Sequence, residues 1–370
     1  MKDNIVPVRI GIDLTGLWRQ HTGIFRYAAS LTPALLQRDD GIEYILFVRR
    51  GSSLPPWPAQ APFRIIQTPW TNERLATQLW FPLVRQQLRI TAIHYPAFPP
   101  PLLQHHGLIA SIHDLTVFRH PATMTRVGRL YWRPTLLHAA RVGCPVLVPT
   151  RAIQTDLFTY TNAKPQHIVI TPYAADPRFG CAPSKSLSDH IRHRWQLPER
   201  FILAVGTLEP RKNLHTLVAA LRWLAEHNLR IPLVIVGRPG WGKPLPPIPG
   251  VPIQFTGYVT DEELIAFYHL ASLFVYPSLY EGFGFPILEA FWAGCPVITT
   301  ATSSLPEVAG GAAVLVPPKD VSALAQAIDE LWHDVVSARR LIAAGKARAQ
   351  QFSWATCAAQ TAAAYCMAHS

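Results

Sequence analysis

Short apolar runs alternate with segments of helical periodicity along most of the chain. The runs are rich in Val, Ile and Leu and end at Gly or polar residues, as buried parallel strands do. Strands are predicted at 8–14, 44–48, 92–95, 108–112, 145–148, 168–171, 201–205, 233–236, 273–276, 297–300 and 313–316. Helices are predicted at 23–36, 72–88, 123–141, 151–160, 213–227, 261–271, 285–294, 320–343 and 353–367. This alternation predicts a sheet covered by helices on both faces.

The alternation is interrupted once, between residues 172 and 199, where Pro, Ser and charged residues accumulate. We therefore predict an α/β protein with two Rossmann-like, doubly wound domains that face a central cleft. The first domain spans 1–175, a linker spans 176–199, and the second domain spans 200–350. A last helix at 351–370 is expected to pack back towards the first domain.

Composition agrees with two folded domains. Of the 370 residues, 49% are apolar and 15% are charged, which excludes a disordered chain. The five cysteines are odd in number and show no CxxC spacing, so we expect neither disulfides nor a zinc site. No signal peptide and no apolar run of about 20 residues is seen, and we expect a cytoplasmic protein.

The positive charge lies in the first half of the chain. Residues 1–180 contain 19 Lys and Arg against 9 Asp and Glu, whereas residues 181–370 contain 15 against 14. A basic first half suits an anionic partner such as the inner membrane face, a lipid diphosphate or nucleic acid. A generally basic proteome is the alternative.

The predicted helix at 123–141 combines arginines with aromatic residues. It contains Arg126, Arg129, Arg133 and Arg141 near helical spacing, beside Tyr131 and Trp132. Interfacial helices and surfaces that hold anionic acceptors have this composition, and so do ordinary solvated helix faces. No nucleic-acid-binding module is recognised, so peripheral contact with an anionic membrane is favoured over nucleic acid.

The stretch from Tyr276 to Glu289 has the composition of a ligand-binding loop. Gly282 and Gly284 follow a buried strand and allow close approach of backbone to ligand. A helix then begins near Pro286, and its free amides would attract an anion. Glu281 in the loop and Glu289 in the first helical turn can accept hydrogen bonds from sugar or ribose hydroxyls. Two solvated glutamates beside a Gly-rich loop are the alternative.

A second loop, Gly206 to Asn213, carries two adjacent cations. Arg211 and Lys212 follow a strand and precede a helix, where the helix dipole disfavours positive charge. A bound anion would reverse that penalty, and an Arg fork with a Lys point charge suits a diphosphate. A solvated basic turn is the alternative.

With these two stretches, 206–213 and 276–289, the sequence resembles the retaining glycosyltransferases of family four, which have the B-type fold. Among them it resembles bacterial mannosyltransferases of polysaccharide biosynthesis. The resemblance is strong from about 200 to 345 and weaker over the first domain. It implies an acceptor-side first domain and a donor-binding second domain. It further implies that Arg211 and Lys212 hold the donor diphosphate, Glu281 the sugar hydroxyls, and Glu289 the ribose.

The same resemblance assigns further residues to the donor site. The backbone of Phe283, Gly284 and Phe285 would contact sugar and phosphate, with Leu288 beside them. The backbone near Val259 would hold the base. The stretch Ser304-Leu305-Pro306-Glu307 would support the site.

Two positions in the first domain match less specific parts of the family pattern. His113 follows a strand, and the resemblance places such a histidine beside the donor sugar and acceptor. Asp114 either orients that imidazole or caps the next segment. Gly23, after Thr22, would let backbone amides approach the donor phosphate, although many members have two glycines here and this chain has one. A structural histidine and an ordinary loop glycine are the alternatives.

Several other chemistries lack their motifs in this sequence. No Asp-x-Asp, Walker A loop, G-x-G-x-x-G, G-x-S-x-G or HExxH string occurs. We therefore expect no metal and no cofactor besides the nucleotide-sugar substrate. Arg211 and Lys212 would then neutralise the leaving group.

The sequence thus predicts a retaining, metal-independent hexosyltransferase that acts in polysaccharide or glycolipid biosynthesis. Mannose is the favoured sugar, with GDP-mannose the first donor and UDP-glucose or another UDP-sugar the second. The expected acceptor is a saccharide or a lipid-linked saccharide. A non-catalytic nucleotide-sugar binding protein is the alternative from another class, and a nicotinamide dehydrogenase is disfavoured because its fingerprint is missing.

Overall fold

All pairs between the named strands of the described chain are parallel. The computed structural model describes residues 8–17, 23–52, 54–97, 100–142 and 145–367. The strands form two sheets, one in each of two units. The first unit comprises Met1–Tyr173 with Ser353–Ser370, and the second comprises Ala174–Phe352.

The first unit contains a seven-stranded sheet in the order β3-β2-β1-β4-β5-β6-β7. Its strands are β1 (Arg9–Asp13), β2 (Glu43–Val48), β3 (Phe63–Gln67), β4 (Ala92–Tyr95), β5 (Leu108–Ser111), β6 (Val146–Val148) and β7 (Ile168–Ile170). Its helices are α1 (Gly23–Leu36), α2 (Glu73–Leu75), α3 (Phe81–Gln87), α4 (Thr116–Arg119), α5 (Arg126–Arg141), α6 (Arg151–Tyr160) and, from the end of the chain, α14 (Trp354–Met367). A π-helical segment, Ala76–Trp80, joins α2 to α3.

The second unit contains a six-stranded sheet in the order β10-β9-β8-β11-β12-β13. Its strands are β8 (Ile202–Val205), β9 (Leu233–Val236), β10 (Ile253–Gly257), β11 (Leu273–Tyr276), β12 (Val297–Thr300) and β13 (Val314–Val316). Its helices are α7 (Lys185–Arg194), α8 (Leu214–Glu226), α9 (Asp261–Leu270), α10 (Phe285–Ala293), α11 (Leu305–Ala309), α12 (Val321–His333) and α13 (Val335–Ala349).

Both strand orders reverse direction at one point, which confirms the doubly wound α/β class. In the second unit the reversal lies between β8 and β11, which pair directly. Loops that leave two adjacent strands in opposite directions at such a point open a crevice at the strand ends, where ligands of these sheets bind. The crevice of the second sheet is therefore bounded by the loops after β8 and β11.

The core of the second unit explains why its strands could be predicted. Apolar side chains of β8, β9 and α8 pack with those of α12 in one buried cluster. The strands are buried on both faces by helices, so they form continuous apolar runs in the sequence. The first unit has a corresponding cluster between β2, β4 and the π-helical segment with α3.

Two of the four strands that lie at sheet edges, β3 and β10, were not predicted. β3 is largely exposed and β10 is only partly buried. Both have little apolar cover, so their sequences mix polar with apolar residues and lack the continuous apolar run of a buried strand. The other two edge strands, β7 and β13, have apolar runs and were predicted.

Two predicted segments differ in detail from the structure. The stretch 176–199, predicted as a linker, contains a 3₁₀ turn and α7, which packs against α9 within the second unit. Ser184 caps α7 and Ile191 is buried, which gives this polar segment a folded role. The predicted helix 320–343 is two helices, because Asp334 ends α12 and its side chain caps α13.

The last helix, α14, packs against α1 in the first unit. Its Tyr365 hydroxyl lies 2.8 Å from Nδ1 of the buried His94 in β4. Nε2 of His94 lies 2.8 Å from the Ser111 hydroxyl, which lies 2.9 Å from the Tyr27 hydroxyl. Burial lowers the pKa of His94 to about 3, so this imidazole is neutral. The C-terminal segment thereby completes a buried hydrogen-bonded chain in the first unit.

Candidate functional site

The loops after β8 and β11 bring two cations onto one carboxylate. Nζ of Lys212 lies 2.7 Å from Oε1 of Glu281, and Nη1 of Arg211 lies 2.7 Å from Oε2. Lys212 also donates to the Tyr276 hydroxyl at 2.8 Å, and its Nζ lies 4.9 Å from the centre of that ring. The structure thus joins the two sequence strings at the point where the strand order reverses. A small pocket at the same strand ends is lined by Gly206, Lys212 and Tyr276.

The cluster is withdrawn from solvent. The side chains of Arg211, Lys212 and Glu281 are 15%, 13% and 9% exposed, so the alternatives of a solvated basic turn and a solvated Glu281 are wrong. Burial by itself would raise the pKa of Glu281, but Arg211 and Lys212 reverse this and bring the pKa to about 2. Burial lowers the pKa of Lys212, an effect that Glu281 opposes. Glu281 is therefore ionised and holds the two cations at the crevice.

A 3₁₀ turn, Pro210–Lys212, presents the two cations. Arg211 also pairs with Glu209 and donates to the carbonyl of Tyr280 at 2.6 Å. Asn213 follows in the left-handed region with φ of 56° and donates to the Pro277 carbonyl. These bonds attach the loop after β8 to the loop after β11, because each loop satisfies polar groups of the other.

Hydroxyl side chains after β12 fix the backbone of the loop that carries Glu281. Ser304 donates to the carbonyls of Glu281 at 2.8 Å and Phe283 at 3.0 Å. The Ser303 hydroxyl accepts from the Glu281 amide at 2.9 Å, and Thr300 donates to the Ser278 carbonyl. Of this group, sequence reasoning assigned only Ser304 a supporting role near the donor. The hydroxyl-rich run from Thr299 to Ser304, which begins in the last two residues of a buried strand, is the signal that could have identified the rest.

The glycine-containing part of the loop leads directly into α10. Gly284 has φ of 102° and precedes the first helical residue, Phe285. A Cβ at Gly284 would lie 3.1 Å from a methyl carbon of Leu305, so both the backbone angle and the space favour glycine. Phe283 is buried and its ring packs against Phe285 and Phe352. Pro286 occupies the first turn, where its missing N–H costs little.

Two predicted donor-site residues lie deeper in α10. Glu289 falls in the second turn, not in the first as the sequence analysis placed it, because the helix begins at Phe285. It is 2% exposed and accepts a hydrogen bond from the Tyr268 hydroxyl at 2.9 Å, so it is not a solvated glutamate. Leu288 is fully buried and its side chain belongs to the core.

Val259 lies beyond β10, in the segment that leads into α9. Its side chain is buried, whereas the neighbouring Tyr258 is exposed. The guanidinium carbon of Arg238 lies 5.1 Å from the centre of the Tyr258 ring. The buried Val259 side chain packs in the interior, and contact of the backbone here with the base stays a prediction.

His113 lies in the first unit, after β5, and both of its ring nitrogens have partners. Nε2 lies 2.7 Å from the Pro96 carbonyl and must therefore carry the proton, which leaves Nδ1 to accept from the Tyr173 hydroxyl at 2.8 Å. The ring also packs edge-on against Tyr27. Burial lowers the pKa of His113, although the Pro96 carbonyl and Asp114 oppose this. The imidazole is neutral, with one fixed tautomer.

The structure also describes the other two residues predicted in the first unit, Asp114 and Gly23. Asp114 accepts from the Thr116 amide at 2.8 Å, so the structure assigns it the capping role. Gly23 is exposed and begins α1. Thr22 and residues 18–21 lie outside the described residues, so the geometry of the preceding loop is not described.

The known proteins that this chain resembles in sequence are glycosyltransferases. The model of the family "Glycosyl transferases group 1" matches residues 188–348. The Escherichia coli O-antigen chain mannosyltransferase B is 34% identical over 275 residues, which cover 70% of this chain and 69% of that protein. This chain is a group 1 glycosyltransferase.

Other relatives agree with this family. The E. coli serotype-specific mannosyltransferase WbdA is 35% identical over 182 residues, which cover 45% of this chain and 22% of WbdA. Sucrose-phosphate synthase from Thermosynechococcus elongatus has a similar fold, with a TM-score of 0.70 and 22% identity over 97% of this chain and 98% of that one. The expected two-domain, B-type glycosyltransferase fold is confirmed.

No group of three or more His, Cys, Asp or Glu side chains is arranged to hold a metal ion in the part of the chain that the structure describes. Among those residues, no helix has the length and hydropathy needed to span a membrane.

Proposed function

We propose that this glycosyltransferase transfers mannose from a nucleotide-diphosphate sugar, with retention of anomeric configuration, in the synthesis of a polysaccharide or glycolipid. The observation that carries the proposal is the Arg211–Lys212–Glu281 cluster at the strand-order reversal of the second sheet. Mannose is favoured because the relatives O-antigen chain mannosyltransferase B and WbdA are named for it. The proposed acceptor is a saccharide or a lipid-linked saccharide.

In this proposal Arg211 and Lys212 stabilise the departing diphosphate. Breaking the glycosidic bond leaves negative charge on the β-phosphate oxygen, and a fixed cation in a site with little water stabilises such charge strongly. The two cations are already held in place by Glu281 and Glu209, so they need little reorganisation. Because side chains supply this positive charge, we propose that transfer requires no metal ion.

The carboxylates contact the hydroxyl groups of the donor. We assign Glu281 to the sugar hydroxyls, because its pKa of about 2 keeps it an acceptor at any physiological pH. Glu289 is assigned to the ribose, with its orientation fixed by Tyr268. The backbone from Phe283 to Phe285 adds amides at the beginning of α10, where the helix dipole favours an anion.

Retention follows from a same-face substitution in this proposal. The bond to the leaving phosphate breaks through an oxocarbenium-like transition state, and the acceptor oxygen attacks from the same side of the sugar. The leaving phosphate takes the acceptor proton. His113, neutral and with one fixed tautomer, is proposed to contact the donor sugar, and Gly23 the donor phosphate.

A donor screen tests this function. The purified chain is incubated with a saccharide acceptor and with GDP-mannose, UDP-glucose or another sugar nucleotide, with and without EDTA, and release of nucleoside diphosphate is measured. The proposal predicts release from a mannose donor that EDTA does not reduce. NMR of the product should show the α configuration of the donor. A β product would contradict retention, and an EDTA-sensitive reaction would contradict metal independence. A preference for a glucose donor would contradict the choice of mannose, and donor binding without turnover would contradict catalysis.

A further inference from the structure

An exposed apolar surface lies on the first unit, on segments that contribute nothing to the site described above. A single exposed apolar residue is ordinary, but a contiguous group usually marks an interaction surface. Its seven large side chains are 40% to 78% exposed and form what we call the leucine surface: Leu75, Leu79, Leu83, Leu102, Leu103, Val127 and Leu130.

The three segments that carry the leucine surface are neighbours. Leu75, Leu79 and Leu83 recur every four residues along the continuous helical stretch 73–87, so they share one face. Gln78 links that stretch to the next segment, because it accepts from the Leu102 amide at 2.9 Å and donates to the Pro100 carbonyl.

The third segment, α5, is joined through an arginine. The guanidinium carbon of Arg74 in α2 lies 5.0 Å from the centre of the Tyr131 ring in α5. Val127 and Leu130 come from the preceding turn of the same helix. His138, further along α5, lies 2.8 Å from the Gln104 carbonyl, which ties α5 to the 100–104 loop. The leucine surface is therefore continuous over three elements.

The charges around this surface have one sign. Residues 71–142 contain eight arginines and two acidic residues, Glu73 and Asp114. Glu73 is buried, and Asp114 is partly buried and accepts from the Thr116 amide. Arg74, Arg126 and Arg133 are exposed, and Arg129 is half-buried. The surface thus presents leucines surrounded by positive charge.

We propose that the leucine surface docks the first unit onto an anionic lipid bilayer. The leucines would enter the interfacial region of the bilayer, and Arg74, Arg126, Arg129 and Arg133 would contact lipid phosphates, as at other basic, amphipathic membrane surfaces. A second copy of the chain fits less well, because it would bring like charges together. A nucleic acid would match the arginines but leave the leucines exposed.

Vesicle flotation of the full chain, without donor or acceptor, tests the proposal. We expect binding to vesicles with equal parts of phosphatidylcholine and phosphatidylglycerol, and little binding to pure phosphatidylcholine. Each arginine near an anionic surface contributes about fivefold to the partition coefficient, so Arg126→Gln with Arg133→Gln should lower it at least tenfold. Leu79→Ser with Leu83→Ser should also abolish most binding. High salt should weaken wild-type binding.

Matched controls come from the second unit. Val336 is 78% exposed there, and Arg339 and Arg340 are exposed beside it. The triple variant V336S/R339Q/R340Q removes comparable groups and should bind vesicles as the wild type does. If the double leucine variant unfolds, the single variant Leu103→Ser, in a loop, provides the same test.

Several results would overturn the proposal. These are equal binding to both vesicle types, binding that the leucine and arginine variants leave unchanged, and a dimer in sedimentation that the leucine variants dissociate. Binding to nucleic acid that arginine variants weaken and leucine variants do not would also count against it. Because no sugar nucleotide is present, failure here leaves the proposed transfer reaction untouched.

Discussion

The ammonium group of Lys212 lies 2.7 Å from the carboxylate of Glu281, although the two residues are 69 positions apart in the chain. Each comes from a loop after a different strand, and the two strands pair at the reversal of the second sheet. The contact therefore depends on the doubly wound strand order. It also makes the charge of Glu281 a test of the whole cluster, because the carboxylate holds both cations.

Stability should depend on the ionisation of Glu281. Its pKa in the folded protein is about 2, below the ordinary value of 4.5, so its stabilisation is complete above about pH 5 and is lost as the pH falls towards 2. The contribution at neutral pH is on the order of 3 kcal/mol. We predict that Glu281→Gln lowers the free energy of unfolding by a few kcal/mol at pH 7 and by somewhat less than half as much at pH 3.

Urea unfolding of both proteins at the two pH values measures this difference. Glu226→Gln, at an exposed position of α8, is a control for removal of a glutamate elsewhere in the second unit. A Glu281→Gln deficit that is as large at pH 3 as at pH 7 would show that the carboxylate is not held by the two cations.

Ser304 should be needed to shape the loop that carries Glu281. Ser304→Ala removes one donor to the carbonyls of Glu281 and Phe283, while Ser303 still donates to the Glu281 carbonyl. Loss of such a hydrogen bond costs about 0.5–1.5 kcal/mol. We predict a lower melting temperature and weaker nucleoside diphosphate binding, measured by differential scanning fluorimetry and calorimetry. Ser186→Ala, at an exposed position, should change neither. Unchanged nucleotide affinity in Ser304→Ala would remove the positioning role.

Tyr173 should fix the state of the His113 imidazole. Tyr173→Phe removes the hydroxyl that donates to Nδ1 of His113 and leaves the ring packing. We predict a several-fold lower kcat for transfer with little change in donor binding, because only one ring nitrogen then holds the orientation of the imidazole. The Pro96 carbonyl still keeps the proton on Nε2. The ¹⁵N NMR spectrum should therefore show the same tautomer, with an Nδ1 resonance shifted by loss of the hydrogen bond from Tyr173. The matched control is Tyr160→Phe; equal effects of both variants would contradict the account.

Asp13 should destabilise the first unit at high pH. Burial raises its pKa from 3.8 to about 6, even though Thr15 and Thr77 donate to it. A raised pKa means that stability is greatest below about pH 4 and is lost as the pH rises through 6. We predict that Asp13→Asn, which keeps the shape and an acceptor, is more stable than the wild type at pH 8 by about 1–3 kcal/mol.

The melting temperatures of the two proteins at pH 8 and pH 4.5 check this prediction. The advantage of Asp13→Asn should fall to about a third at the lower pH, because the unfolded-state carboxyl is still largely ionised there. Asp329→Asn, a half-exposed position on α12, should show no such dependence. A variant that is less stable than the wild type at both pH values would contradict the assignment.

Much of the fold could be predicted because inner parallel strands are apolar on both faces. The run Leu273–Tyr276 and the helix Gly23–Leu36 have the bounds that the sequence predicts. The edge strands β3 and β10 are partly exposed and could not be recognised in this way. The break at Asp334 depends on a cap, because its side chain accepts from the amides of Val336 and Ser337.

The residues of the candidate site could be predicted from local strings, but their contacts could not. The sequence pairs Arg211 with Lys212 by adjacency, whereas their joint contact with Glu281 requires the strand order of the second sheet. The contacts of His113 also could not be predicted from a local string, because its partners Pro96 and Tyr173 follow different strands. Glu209, Tyr276 and Ser303 were missed for this reason.

The most direct test of the account is the rate of mannosyl transfer in variants of the two cations. Arg211→Gln and Lys212→Gln remove the positive charge that we propose stabilises the leaving diphosphate, and loss of such a group lowers kcat by about 10²–10³. Arg339→Gln, exposed on α13, should retain the wild-type rate. We predict a loss of that size in each cation variant, with the fold intact by circular dichroism. Wild-type kcat in both folded variants would show that Arg211 and Lys212 do not stabilise the leaving group.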